Sequence, residues 1–323
     1  MPNPSVDVAG VGLNATDTII RLPDFPVHNA KVEFGSADVF PGGQVASALV
    51  ACQFWGLKTR YIGKVGDDAA AELQRREFAH AGVEAHLLAV PHCPSQQAFI
   101  LVDELTGERT ILWRRDARLA IEPSDLRREW VTDSRILLVD GHDTLAAATA
   151  AAWARAAGIP TVADVDNIYP GLGDLLRATD FLLASQSFPE KLTGEKSLPR
   201  ALAHISERYG CRVAGATLGR HGVLARDASA SPTRFVYVPG YKVDVQDTTG
   251  AGDIFHAGFI YAHLQGHALE QALEFACAAA ALNCTAFGAR GGIRPVAEIE
   301  ALVRTRHRHP PLPGLEELSK GIL

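Results

Sequence analysis

The chain has 323 residues, 47% hydrophobic and 21% charged, with a formal net charge of −6. That is the profile of an ordinary globular protein with ample material for a large core, and it argues against a nucleic-acid-binding surface. Five scattered cysteines, Cys52, Cys93, Cys211, Cys277 and Cys284, make an odd set without C-x-x-C spacing. A disulfide framework or zinc site is therefore not expected, and a reducing cytoplasm is. No basic leader opens the sequence, and Arg155 breaks the alanine-rich stretch at 145–157, so no membrane span is expected.

In chain order, the first strand is predicted at Val6 to Val11. Two β-like segments follow, Asp17–Arg21 and Lys31–Phe40, separated by the Pro-rich "LPDFPVHN". After "PGGQ" comes a helical run, "VASALVACQFWG". "KTRYIGKVGDD" reads as a strand entering a turn, and "AAAELQRREFAHAG" as an amphipathic helix stopped by glycine. Two alternating runs flanking Leu105-Thr106-Gly107-Glu108 predict a hairpin over 97–114. Continuous apolar strands then alternate with helices: "RILLVDG", "IPTVADVD", "DFLLAS" and "RVAGATLG" are the strands. This rhythm predicts a mainly parallel sheet covered on both faces. The early β segments and the hairpin fall outside it, so they are expected to form a small projecting sheet, a lid. The tail "RHRHPPLPG" reads as a surface extension.

Two long helices are predicted near the end, Asp253 to Gln265 and Leu269 to about Thr285. The first follows directly on Gly250-Ala251-Gly252. Free N–H groups at a helix start attract anions, and glycines let a phosphate approach closely. Asp253 in that first turn is either an N-terminal charge partner or a base beside an anion hole. The second arrangement is what phosphoryl transfer to a hydroxyl requires.

Three motifs carry a resemblance. "DTTGAGD" at 247–253, "PGGQVASALVACQFWGLKTRYIGKVGDD" at 41–68 and "ATLGRHG" at 216–222 stand in the order and spacing of the ribokinase or PfkB-type carbohydrate kinases. The chain resembles that family over nearly its whole length. The resemblance implies one ribokinase-like α/β domain, a three-layer α/β/α body with a small β lid at about 13–41 and 96–116. It also implies ATP with Mg²⁺, often stimulation by K⁺, and a homodimer through the lid. Asp253 matches the family's catalytic base, and Gly250, Ala251 and Gly252 its anion hole. Asp247 and the Thr249 carbonyl match a monovalent-cation site, with the loop at 284–292. Thr217, Gly219 and Gly222 match ATP contacts, and Cys277 and Asn283 fall on the helix lining the adenine. Asp17, Gly42 and Gly43 match positions that bind sugar hydroxyls; the bland reading of Asp17 is a turn cap. Asp140 and His142 follow an apolar strand, where ligands sit in open parallel sheets. His142 reads equally well as a surface-loop histidine, and Arg114 and Arg115 as a solvated charge pair.

Two departures stand out. Ser47 occupies the position of a family asparagine, so one amide contact to the sugar is lost or replaced. Ser185 and Phe188 occupy the family's Asn-x-x-Glu positions, and a phenylalanine cannot help organise Mg²⁺. Ketohexokinase-like and sulfofructose-kinase-like branches depart there too. The latter is also similar in "KVDVQDTTGAGDIFHAG" and "ALNCTAFGARGGI", which favours a ketose or modified ketose as acceptor. A nucleoside kinase of the same fold, with Phe40, Phe99 and Trp113 as a base slot, is the alternative. A non-catalytic sugar sensor is the reading from another class.

Overall fold

The computed structural model of the chain describes residues 4–106 and 109–319. Gly107 and Glu108, the centre of the expected hairpin turn, lie outside the described residues. The chain runs β1 (Val8–Val11), β2 (Ala15–Leu22), β3 (Ser36–Gly42), α1 (Gln44–Phe54), β4 (Thr59–Val65), α2 (Ala69–Ala81) and β5 (Glu84–Ala89). It continues with β6 (Gln97–Asp103), β7 (Arg109–Arg114), α3 (Arg128–Thr132), β8 (Ile136–Asp140), α4 (Thr144–Ala156), β9 (Thr161–Asp164) and α5 (Leu172–Ala178). β10 (Phe181–Ala184), α6 (Phe188–Thr193), α7 (Leu198–Tyr209), β11 (Val213–Thr217), β12 (Val223–Asp227) and β13 (Arg234–Val238) follow. Helices α8 (Ala251–Leu264), α9 (Leu269–Asn283), α10 (Val296–Thr305) and α11 (Leu315–Ser319) complete it.

The apolar runs become one nine-stranded sheet in the order β13-β12-β11-β10-β9-β8-β1-β4-β5. Pairing is parallel from β11 through to β5, and β12 and β13 add an antiparallel edge. Every residue of β1, β8, β9 and β10 is buried, as parallel strands covered on both faces must be. One core joins the sheet to α1, α8, α9 and α10 through Leu49, Phe259, Leu273 and Ile299. The other joins it to α4, α5, α6 and α7 through Ala151, Leu175, Phe188 and Leu202. The result is the expected three-layer α/β/α body.

The segments that broke the rhythm form a second sheet, β3-β2-β6-β7, around a small core of Ile19, Ala98, Ile100 and Val102. The expected hairpin pairs Gln97 with Arg114. β7 is exposed along its whole length. Lys31 to Gly35 is irregular rather than extended, because pairing with β2 starts only at Ser36↔Arg21. The tail is less free than expected. His309 N donates to the Gly240 carbonyl (2.8 Å), and Leu312 N to the Tyr237 hydroxyl (3.0 Å). Among the described residues, no helix is long and apolar enough to cross a membrane.

Candidate active site

The site gathers at the carboxyl ends of the parallel strands. Its floor is the start of α8, capped by Gly250 in the left-handed region (φ 73°). A Cβ there would stand 2.3 Å from the Ala289 carbonyl oxygen, so only glycine fits without displacing backbone. Gly252 faces open space, with nothing within 4 Å of a Cβ position. Ala251 N donates to the Thr248 carbonyl (3.2 Å). The N–H groups of Gly252 and Asp253 have no backbone acceptor among the described residues. Gly250 N–H likewise has no backbone acceptor among the described residues, so of the expected Gly250–Gly252 set only Ala251 N–H is engaged within the turn. Helix α8 is a rigid mount for them: Ile254 through Ile260 are buried, and Gly258 brings the backbone against α9.

Asp253 sits in this first turn. Burial pushes its carboxyl up to about 8, and the nearby Asp164 and Asp17 carboxylates push the same way, against His256 and Arg109. A carboxylate tuned close to neutral is suited to accepting a hydroxyl proton.

On the lid side, Asp17 is buried on β2, its carboxyl raised to about 6 by burial and held back by Arg290. It lies against Gly42, where a Cβ would come within 1.9 Å of its Oδ2. Gly43, at φ 96°, caps α1 with its backbone pressed on Asn14. Ser47 is fully buried, and its hydroxyl accepts from Arg290 Nε (3.3 Å). Arg290 Nη2 also donates to the Gly42 carbonyl (3.2 Å), while Nη1 is buried without a hydrogen-bond partner among the described residues. A buried guanidinium delivered from the loop after α9 thus stands beside Ser47 and the Gly42 carbonyl. Sequence reading assigned that loop to the cation site and missed Arg290, because 243 residues separate it from Ser47.

Three expectations change. Asp140 does not present a free carboxylate: Oδ2 accepts from Leu13 N (2.6 Å) and Oδ1 from His142 N (3.1 Å), so it braces the turn after β1. His142 is not a surface histidine; its ring packs beside Tyr169 (5.2 Å between centroids) and the lid's Trp113 (6.2 Å). Arg115 is not solvated. It holds Asp143 in a bidentate pair (2.9 and 2.5 Å).

A cleft of about 450 Å³ opens on the other side of the α8 turn. Ser185, Thr217, Gly219, Gly222 and Cys277 line it together with Gly252 and Phe255. Arg109, on β7, reaches into it and donates to the Thr248 hydroxyl. His309, from the tail, also lines it; neither was evident in the pattern. Asn283 is corrected. It is fully buried outside the cleft wall, donating to the Thr249 and Ala289 carbonyls (3.2 and 3.1 Å) and accepting from Gly292 N (3.2 Å). Phe188 is fully buried in the core, consistent with its exclusion from any metal role.

Asp247 is also fully buried. Its Oδ1 accepts from Thr249 N and Oγ1 (2.8 and 2.7 Å), and its Oδ2 from Gly288 N (2.9 Å). It joins the 247–250 turn to the loop after α9.

A sequence model described as pfkB family carbohydrate kinase matches residues 7–295. The chain is 27% identical to an ATP-dependent ribose-1-phosphate kinase from Halopiger xanaduensis, covering 88% of this chain and 94% of that protein. It is also 27% identical to a ribokinase from Haemophilus influenzae, covering 86% and 92%. A crystal structure of an Agrobacterium tumefaciens protein, provisionally called a ribokinase, matches with a TM-score of 0.85. It is 29% identical, and the match covers 93% of this chain and 98% of that one.

Proposed function

Because the chain belongs to the pfkB family of carbohydrate kinases and is a sugar phosphotransferase by that membership, we propose that it transfers the γ-phosphate of ATP to a primary hydroxyl of a small sugar, a ketose or modified ketose being the favoured class. The observation that carries this is the α8 turn, where a near-neutral base, Asp253, adjoins the unengaged N–H groups of Gly252 and Asp253 between a nucleotide-sized cleft and the lid. Asp253 accepts the hydroxyl proton as the oxygen attacks. The two N–H groups hold charge developing on the transferring group. Asp17 and the Gly42–Gly43 turn orient the acceptor, and the lid excludes water. The cysteine content and the lack of a spanning helix among the described residues support a cytoplasmic setting. The exposed lid residues Val39, Phe99 and Leu112 support a homodimer through that sheet.

A nucleoside acceptor is the second reading, favoured by the Trp113–His142–Tyr169 ring cluster, which offers a base a stacking surface. Thermal shift separates the two. Sugars, with an ATP analogue present, are expected to raise Tm; a rise with nucleosides alone would transfer the assignment to them.

Mg²⁺ enters with the nucleotide. Among the described residues, no group of three or more His, Cys, Asp or Glu side chains could hold a metal ion, which suits a cation carried mainly by phosphate oxygens. A monovalent cation fits the Asp247 region better. A fully buried carboxylate with no lysine or arginine partner among the described residues is stabilised by a nearby cation. K⁺ is therefore expected to raise kcat on the order of 10-fold over a bulky organic cation at equal ionic strength. Asp247→Asn is expected to remove the dependence. Equal rates in both salts would remove the cation from the account.

Arg290 is expected to set acceptor binding. Arg290→Met strips donors from Gly42 and Ser47 and leaves Asp17 without its counter-charge. Losing a buried charged donor is worth about 1.5–3 kcal/mol, so the KM for sugar should rise by about 10-fold or more while the KM for ATP stays near wild type. Equal rises in both would show a general loss of structure.

A further inference from the structure

His256 lies one helical turn beyond Asp253, buried under the active turn, and its surroundings do not suit a neutral ring. Nδ1 stands 2.7 Å from the Gly252 carbonyl oxygen and Nε2 2.8 Å from the Leu183 carbonyl oxygen. A neutral imidazole has one N–H and one bare lone pair. With carbonyl oxygens at both ends, one contact would set lone pair against lone pair. Only the doubly protonated ring gives each carbonyl a donor. Asp164 supplies the matching negative charge, with Oδ2 3.4 Å from Nδ1.

We propose that His256 is held as an imidazolium paired with Asp164, a fixed positive charge beneath the Gly252–Asp253 turn that positions and polarises the anion-binding amides. The protonation balances internally: the proton on the ring is the one that Asp164 gives up. Burial pushes Asp164 well above and His256 below their ordinary values, and the Asp166 and Asp140 carboxylates raise Asp164 further. Against this stand the two carbonyl acceptors and the Asp253 carboxylate, which all favour the charged ring. Asp17 on the lid and Arg109 on β7 bear on Asp253 itself. A cation among these acids lowers their mutual repulsion.

The placement has a consequence for the reaction. The Gly252 carbonyl belongs to the same peptide unit as the Asp253 N–H. Donation to that oxygen makes the N–H a stronger donor to an anion. The bond to Leu183 fastens α8 to β10, the strand that leads to Ser185 in the nucleotide cleft. His256 is thus a positioning residue; its charge stands on geometry alone, and its kinetic effect rests on the proposed phosphoryl transfer.

The direct test is nitrogen NMR of ¹⁵N-histidine-labelled wild-type protein at pH 8, where exposed histidines have lost their charge. One histidine is expected to keep two protonated-type ring nitrogens and to lose one of them in Asp164→Asn. A wild-type spectrum in which every histidine has a bare ring nitrogen at pH 8 overturns the proposal, whatever the enzyme acts on. The kinetic arm uses His256→Gln, with thermal unfolding to confirm the fold. Its kcat is expected to fall on the order of 10-fold, the effect of removing a favourable charge one turn from the reacting groups. The KM for sugar should change little, and the acidic limb of the pH profile should move to higher pH. A wild-type limb and kcat in a folded His256→Gln protein would refute the positioning role. If that variant does not fold, the wild-type and Asp164→Asn spectra decide the charge state.

Discussion

Asp253→Asn is expected to abolish sugar phosphorylation while leaving ATP binding intact. Asparagine keeps the size and the backbone N–H of residue 253, so the anion-binding turn survives, but the amide cannot accept the acceptor's proton. General-base catalysis contributes about 10²–10⁴-fold, and kcat should fall by at least that range because no other carboxylate occupies the first turn of α8. The wild-type pH profile should report the same group. Burial raises Asp253 to about 8; the base acts only when deprotonated, so kcat/KM should climb with pH and level off above about 8. The variant's residual rate should lack that limb. Wild-type-like turnover in Asp253→Asn, or the same limb in both proteins, would contradict the assignment.

Gly250→Ala is expected to be nearly as damaging by a different route. The left-handed conformation costs an L-residue about 1–2 kcal/mol, and the added Cβ meets the Ala289 carbonyl oxygen at 2.3 Å. That oxygen belongs to the backbone of the junction that Asp247 and Asn283 brace, so it cannot swing aside. The turn must move, and the Gly252 and Asp253 amides with it. A misplaced oxyanion donor costs about 10²–10³-fold in kcat. Kinetics at saturating substrates and thermal unfolding check this together. A large kcat loss with Tm lowered by only a few degrees is the expected pattern; unchanged kcat would show that the turn's geometry is not needed.

What sequence reading could reach was local. Gly250, Gly252 and Asp253 were legible because a left-handed cap, an open approach and a first-turn carboxylate all fall within four residues. The parallel sheet was legible because strands buried on both faces are apolar without interruption. β5 was not: Glu84–Ala89 is a half-buried edge with neither alternation nor a continuous apolar run. Side-chain assignments across long separations were also out of reach. Asp140 had the right position at a strand end, but Leu13 N in the turn after β1 engages one of its oxygens and His142 N, just after its own strand, the other. Asn283 had the right helix but the wrong face. Arg290 and Arg109 come from a loop and a lid strand whose partners at Ser47 and Thr248 lie far away in sequence. Hydrophobic periodicity carries no information on such meetings; only the folded chain brings them together.

The central claim is that this site moves phosphate from ATP to a sugar hydroxyl. Its most direct test is to incubate the wild-type protein with MgATP, K⁺ and a panel of ketoses, aldoses and nucleosides, measuring ADP release beside the phosphorylated product by ³¹P NMR. The predicted result is one ADP for each sugar phosphate, with the phosphate on a primary carbon and no product from Asp253→Asn. ADP formed without any phosphorylated sugar, or only with nucleosides, would contradict it.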